Sequence, residues 1–188
     1  MPFTFQPTQL PGVVIVEPKV FADDRGFFIE TYKRSEFVAG GIDVDFVQEN
    51  HSKSVRGTLR GLHFQRAPKA QGKLVRALSG EIYDVVVDLR KGSPSYGKWT
   101  ALTLSAENKK MLFVPVGFAH GFCVTSADAE ILYMTTEEYA PDLEAGLLWN
   151  DAELAIEWPI AEPILSLRDR AWPRLRDADN NFAYTVTR

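Results

Sequence analysis

The sequence is short of the residues that mark secreted, membrane-bound or metal-rich proteins. It has one cysteine, Cys123, so no disulfide can close within the chain, and a reducing compartment fits best. That cysteine lies in the apolar run Gly121-Phe122-Cys123-Val124, where a small buried hydrophobe is a simpler reading than a nucleophile. No run approaches the roughly 18 consecutive apolar residues that a membrane helix needs. The start of the chain lacks a basic segment followed by an apolar stretch, so neither a membrane anchor nor a signal peptide is expected, and the expected location is cytoplasmic. Positive charge is not in excess either. A net charge of −4 argues against a nucleic-acid partner, although it leaves room for a local basic pocket.

What is present is an ordinary globular composition, 45% apolar and 24% charged. At 188 residues the chain is long enough to bury one core, and a single domain over 1–188 is expected. Strand signals dominate. Val13–Val16 follows a Pro-Gly turn, and Phe27–Tyr32 follows the turn Asp23-Asp24-Arg25-Gly26. Further strands are expected over 45–52, 58–65, 74–78, 81–89, 99–104, 110–116, 120–125 and 130–136, with a hairpin turn at Ser79-Gly80. Val85-Val86-Val87 reads as a strand buried on both faces. Helix is confined to a turn or two near Ser35–Ala39, stopped by Gly40-Gly41, and a short piece starting at Ser166. From about residue 142 the chain turns irregular, pinned by Trp149, Trp158 and Trp172. Many short, evenly spaced strands with Gly and Pro punctuation indicate a mainly β protein, a sandwich, jelly roll or barrel, with short peripheral helices.

The stretch Gly57–Gly80 concentrates Arg60, His63, Arg66, Lys69, Lys73 and Arg76 in an acidic chain. Taken as a charge run it also reads as a solvated face. Strand alternation sets Arg60 and His63 on opposite faces, unless Gly61 introduces a bulge that turns both to one side. Lys73, on the next strand, can reach the same cavity. The spacing of His63-Phe64-Gln65, with Pro115-x-Gly117-x-x-His120 later, resembles the two motifs of the cupin superfamily and implies a cupin-type jelly-roll barrel, with the two segments facing each other inside it. Metal-binding cupins place a second histidine where Gln65 stands and a carboxylate shortly after. Here only His63 and His120 remain, too few for a usual Zn or Fe site, so no metal and no cofactor is expected.

A cationic barrel suits an anionic small molecule. A histidine, a lysine and a tyrosine in one cavity can also do chemistry beside a ketone. The histidine removes a proton from the adjacent carbon, the lysine stabilises the enolate oxygen, and the tyrosine returns a proton on the opposite face. Such a histidine calls for a buried carboxylate partner.

The linked motifs Asp24-Arg25-Gly26-Phe27-Phe28, Gln48-Glu49-Asn50-His51-Ser52, Arg56–Gln65, Lys73-Leu74-Val75-Arg76, Val114–Phe122, Tyr133-x-Thr135-Thr136, Tyr139-Ala140-Pro141 and Trp149-Asn150-Asp151 together resemble the dTDP-4-dehydrorhamnose 3,5-epimerases, metal-independent cupins of deoxysugar biosynthesis. The resemblance runs from Pro11 to about Trp172. It implies His63 as base with Asp169 as its carboxylate partner, Tyr133 as acid, and Lys73 beside the ketone oxygen. It further implies that Arg60 and His120 hold diphosphate and sugar, with Gln48 and Asn50 nearby. Tyr139 would stack on the thymine, and Glu144 and Arg168 would make further contacts. Arg25 and Glu30 match positions that reach the nucleotide from the neighbouring subunit of a homodimer. The reaction implied is epimerisation at C3 and C5 of dTDP-4-dehydro-6-deoxy-D-glucose. Met134 and Arg168 depart from the lysines common in the family. The alternatives left open are a single-centre epimerase of another 4-keto nucleotide sugar, a metal-dependent cupin that also recruits His51, and a non-catalytic sugar-nucleotide-binding module.

Overall fold

A computed structural model describes residues 2–185; Met1 and residues 186–188, the ends of the expected domain, lie outside the described residues. In chain order the elements are β1 (Phe3–Pro7), β2 (Val14–Pro18), β3 (Phe21–Asp23), β4 (Gly26–Phe28), α1 (Arg34–Ala39), β5 (Gln48–Val55) and β6 (Leu59–Gln65). There follow β7 (Lys73–Ser79), β8 (Glu81–Asp88), β9 (Trp99–Ser105), β10 (Met111–Val114), β11 (Phe118–Val124), β12 (Asp128–Thr135), β13 (Glu144–Gly146) and α2 (Leu167–Ala171). The strands form a six-stranded sheet in the order β1-β2-β10-β7-β12-β5 and a five-stranded sheet in the order β13-β6-β11-β8-β9. Neighbours pair antiparallel, and the non-sequential order is that of a cupin-type jelly roll. The pair β3–β4 stands apart as a two-stranded hairpin.

Three apolar clusters hold this arrangement. Between the sheets, Val75, Ile82, Val86, Leu112, Phe122 and Ile131 form the inner core. On the outer face of the five-stranded sheet, Leu62, Val85, Val87 and Leu89 are covered by Leu147, Leu154, Leu175 and Phe182 of the C-terminal tail. On the outer face of the other sheet, Phe37 of α1 and Ile42 close over Leu74, Met111 and Phe113. The valine run of β8 thus serves the inner core through Val86 and the outer cluster through its neighbours, which is why it carries no alternation. The tail is irregular because its hydrogen bonds go to side chains and isolated turns. Trp99 donates to Leu154 O (2.9 Å), Trp158 to Trp149 O (2.8 Å), and Leu175 N to the buried Asp151 carboxylate (2.7 Å).

Several boundaries differ from the sequence reading. The strand expected over Phe27–Tyr32 ends at Phe28, because Tyr32 leaves the hairpin to pack its ring on Phe37 and Phe46. The run at 110–116 is a strand only over Met111–Val114, where it lies between β2 and β7. β1, β3 and β13 were not expected. β13 exists because Glu144–Gly146 pairs with Gln65–His63 of β6, a partner far away in sequence.

Candidate active site

A cavity of about 410 Å³ opens between the two sheets. Strand alternation supplies one wall: Gln48, Asn50 and Ser52 of β5, Lys73 and Val75 of β7, and Ile131 and Tyr133 of β12 all point inward. The facing wall carries Arg60, His63 and Gln65 of β6 with His120 and Phe122 of β11. Gln71, Tyr139, Glu144, Ser166, Arg168 and Asp169 complete the mouth.

His63 and His120 do not face each other as expected. They are register partners on adjacent strands of one sheet, and it is Lys73 and Tyr133 that look at them from the other sheet. Arg60 and His63 share the cavity although three positions separate them, which a regular strand forbids. The register of β6 against β11 slips between His120 and Phe122, opposite Gly61. Gly61 has φ +131°, and a Cβ there would lie 2.5 Å from the Cα of Gly121. Two glycines meeting across the strands therefore make the bulge that turns Arg60 inward. Arg60 Nε then donates to Ser54 Oγ (3.0 Å).

His63 Nε2 lies 2.5 Å from Asp169 Oδ1, with the carboxylate 5% exposed. Asp169 reaches it from the first turn of α2, where Ser166 caps the helix by accepting from Asp169 N (3.1 Å). Burial pulls the Asp169 carboxyl upward, but hydrogen bonds from His63, Ser166 and Trp172 outweigh it and hold the group below its ordinary value. A carboxylate on Nε2 fixes the proton there in the neutral ring and leaves Nδ1 as the basic atom.

His120 forms a second pair of this kind. Its Nε2 lies 2.8 and 3.0 Å from the carboxylate oxygens of Asp84, which is fully buried on β8. Asp84 was missed from the sequence, where it reads as one polar residue in an apolar strand. The signal that marks it is its inward parity with Ile82 and Val86.

Among the described residues Lys73 Nζ and the Tyr133 hydroxyl make no hydrogen bond to protein, and both line the cavity. Burial pulls Lys73 down to about 8, opposed by the charges of Asp84 and Glu144. Burial raises the Tyr133 hydroxyl, opposed by Arg60, so it is a proton donor at neutral pH.

At the mouth, Tyr139 Oη donates to Glu144 Oε2 (2.7 Å), and the Arg168 guanidinium pairs with the same carboxylate oxygen. Gln48 Nε2 donates to Asn50 Oδ1 (2.8 Å). Arg25 and Glu30 do not line the cavity of their own chain. The Arg25 side chain is 90% exposed on the β3–β4 hairpin and paired with Asp23 (2.6 Å). Met134 points to the outer face of its sheet and packs among Leu74 and Met111, so its departure from lysine does not alter the cavity. His51 is on the exposed face of β5, bonded to Glu130 (3.1 Å), away from the other two histidines. Among the described residues no group of three His, Cys, Asp or Glu side chains is placed to hold a metal ion.

A sequence profile described as dTDP-4-dehydrorhamnose 3,5-epimerase matches residues 7–177. The chain is 54% identical over 173 residues to the dTDP-4-dehydrorhamnose 3,5-epimerase of Shigella flexneri, covering 92% of this chain and 96% of that one. It is 55% identical over 172 residues to the enzyme of that name from Pseudomonas aeruginosa, covering 90% and 94%. In structure it is similar to the dTDP-6-deoxy-D-glucose-3,5-epimerase of Legionella pneumophila, solved in complex with dTDP-4-keto-L-rhamnose. The TM-score is 0.94 at 42% identity, covering 98% of this chain and 100% of that one.

Proposed function

The chain belongs to the dTDP-4-dehydrorhamnose 3,5-epimerase family, and from that premise we propose how its cavity works. The protein is an isomerase of dTDP-L-rhamnose biosynthesis, converting dTDP-4-dehydro-6-deoxy-D-glucose to dTDP-4-dehydro-L-rhamnose by inversion at C3 and C5. Both carbons flank the C4 ketone, so one enolate chemistry serves twice. His63 Nδ1 takes the proton from carbon while Asp169 stabilises the imidazolium. The C–H electron pair moves into the ring and negative charge collects on the ketone oxygen, next to the Lys73 ammonium. Tyr133 gives its proton to the opposite face of the carbon, which inverts the centre, and His63 and the tyrosinate then exchange protons with solvent. The observation that carries this reading is that base and acid project into one cavity from opposite sheets, with Lys73, the cavity's lysine among the described residues, on the strand beside Tyr133.

Arg60 and His120 bind diphosphate and sugar, Gln48 and Asn50 lie beside them, and Tyr139, Glu144 and Arg168 take the nucleotide end. The subunits pair as a homodimer in which the β3–β4 hairpin and the residues just after it bring Arg25 and Glu30 to the neighbouring cavity. Its exposed Phe27 and Phe28, and its lack of any pairing to the main sheets, support this role. The enzyme works as one cytoplasmic domain without a bound cofactor; no helix among the described residues is long and apolar enough to cross a membrane.

Turnover in D₂O tests the mechanism. Deuterium is expected at C3 and C5 of the product, and His63→Asn abolishes its incorporation at both. Folded wild-type protein that exchanges neither carbon overturns the reading, and exchange at one carbon reassigns it to a single-centre epimerase.

A further inference from the structure

Gln65 occupies the position at which a metal-binding cupin places a ligand, yet its amide faces backbone. Its Nε2 donates to Glu138 O (3.0 Å) and to Lys69 O, while its Oε1 accepts from Ala140 N (2.8 Å). Gln48 Oε1 accepts from Tyr139 N (2.9 Å), and Gln71 Nε2 donates to Glu137 O (2.8 Å). Four consecutive residues, 137–140, therefore each have a backbone group bound by a glutamine amide. The glutamines come from β5, β6 and the loop before β7, and all three line the cavity. Segment 137–140 belongs to the link, residues 136–143, by which the chain leaves β12 in one sheet and reaches β13 in the other, so it crosses the cavity mouth as a strap.

A connecting segment of this kind is ordinarily solvated and mobile. Here the backbone is fixed while the side chain it presents is not packed away: Tyr139 is 50% exposed, and its hydroxyl bonds to Glu144. Core packing does not set the position of such a ring; the hydroxyl's bond to Glu144 anchors its tip, and the backbone bonds anchor its root. Glutamine suits the task because one amide offers both donors and an acceptor, and so grips a carbonyl and an N–H two residues apart. We propose that Gln65, with Gln48 and Gln71, is a positioning residue for nucleotide recognition: the three amides hold the strap so that Tyr139 stands pre-set against the base end of the substrate. This rests on the assignment of Tyr139 to the nucleotide made above.

The test compares Gln65→Glu, Tyr139→Ala and the double variant, measuring binding of dTDP and of inorganic pyrophosphate by calorimetry. Glutamate keeps the shape but loses both donors and sets a negative charge against two carbonyls. Gln65→Glu is expected to weaken dTDP ~10-fold, the size of one or two lost hydrogen bonds. Pyrophosphate, which has no base to meet Tyr139, is weakened less, by the added charge alone, and KM rises more than kcat falls. In the Tyr139→Ala background the same change is expected to cost dTDP no more than it costs pyrophosphate. Equal weakening of both ligands by Gln65→Glu, or a full ~10-fold loss repeated in the double variant, overturns the proposal. If Tyr139→Ala weakens dTDP and Gln65→Glu does not, only the strap fails; if Tyr139→Ala binds dTDP like the parent, the nucleotide role of Tyr139 fails with it. Should Gln65→Glu not fold, Gln71→Ala removes a single bond at Glu137 and is expected to shift dTDP binding alone, by a smaller factor.

Discussion

Lys73 shows how far one side chain can be set by its surroundings. It shares the cavity lining with His63, Arg60, His120 and Tyr133; burial dominates its titration, and the charges of Asp84 and Glu144 oppose it. Its pKa near 8 means that the ammonium we propose at the enolate oxygen is lost as pH rises through that value, so kcat/KM is expected to fall on the alkaline side from about pH 8. Lys73→Met should remove that limb together with most of the rate; a profile flat to pH 10 would count against the assignment. An anion bound beside Lys73 favours its charged form, so substrate binding above pH 8 should take up a proton, visible as a buffer-dependent heat. Asp169 has the opposite sign. Its carboxyl is held below the ordinary 3.8, so its stabilising contribution is complete above that value and is lost as pH falls through the lower, folded-state value. Asp169→Asn is expected to cut kcat about 10²–10⁴-fold. It should also lower Tm at pH 7, with the gap to the parent closing below pH 3.8. A Tm gap that stays constant into acid would show that the loss is one of packing.

At the scale of elements, the site depends on β6 breaking its own alternation. Gly61 and Gly121 allow this because neither carries a Cβ where the strands meet; one on Gly121 would sit 2.8 Å from Arg60 O. Gly61→Ala meets both the positive φ and the backbone of β11, and is expected to cost about 1–3 kcal/mol or more. Denaturant unfolding measures that loss, and an unchanged midpoint would mean that the bulge can shift. The helical piece α2 is legible as sequence, since Ser166 is a good cap and Asp169 suits a first turn. That its Asp169 meets a histidine 106 residues earlier is not legible. The same holds for β13, whose three residues have no strand signal of their own and exist through pairing with β6.

For the whole molecule, the loose feature is the β3–β4 hairpin, with Phe27 60% and Phe28 64% exposed and Arg25 beside them. If this hairpin completes the neighbour's cavity, inactive Arg25→Ala and His63→Asn proteins should complement each other when subunits are exchanged. A mixed dimer has one site with both residues intact, so an equal mixture should regain about a quarter of the parent's activity. No recovery, with dimers formed, would place Arg25 in its own chain's function or in none.

The sequence by itself determined most of the strands, the mainly β class, the cap of α2 and the chemical character of the cavity. These depend on local signals: turn residues, alternation, and histidine and cations set among apolar runs. The resemblance to the epimerases then joined His63 to Lys73, Tyr133 and Asp169. Only the tertiary structure decided which groups touch. It set His63 and His120 side by side instead of across from each other, put Asp84 behind His120, and turned Gln65 from an apparent vacated ligand position into the pin of a backbone strap. Such contacts depend on strand order, bulges and the meeting of two sheets. A single chain of letters does not encode them locally, because each is fixed by packing between segments far apart in sequence.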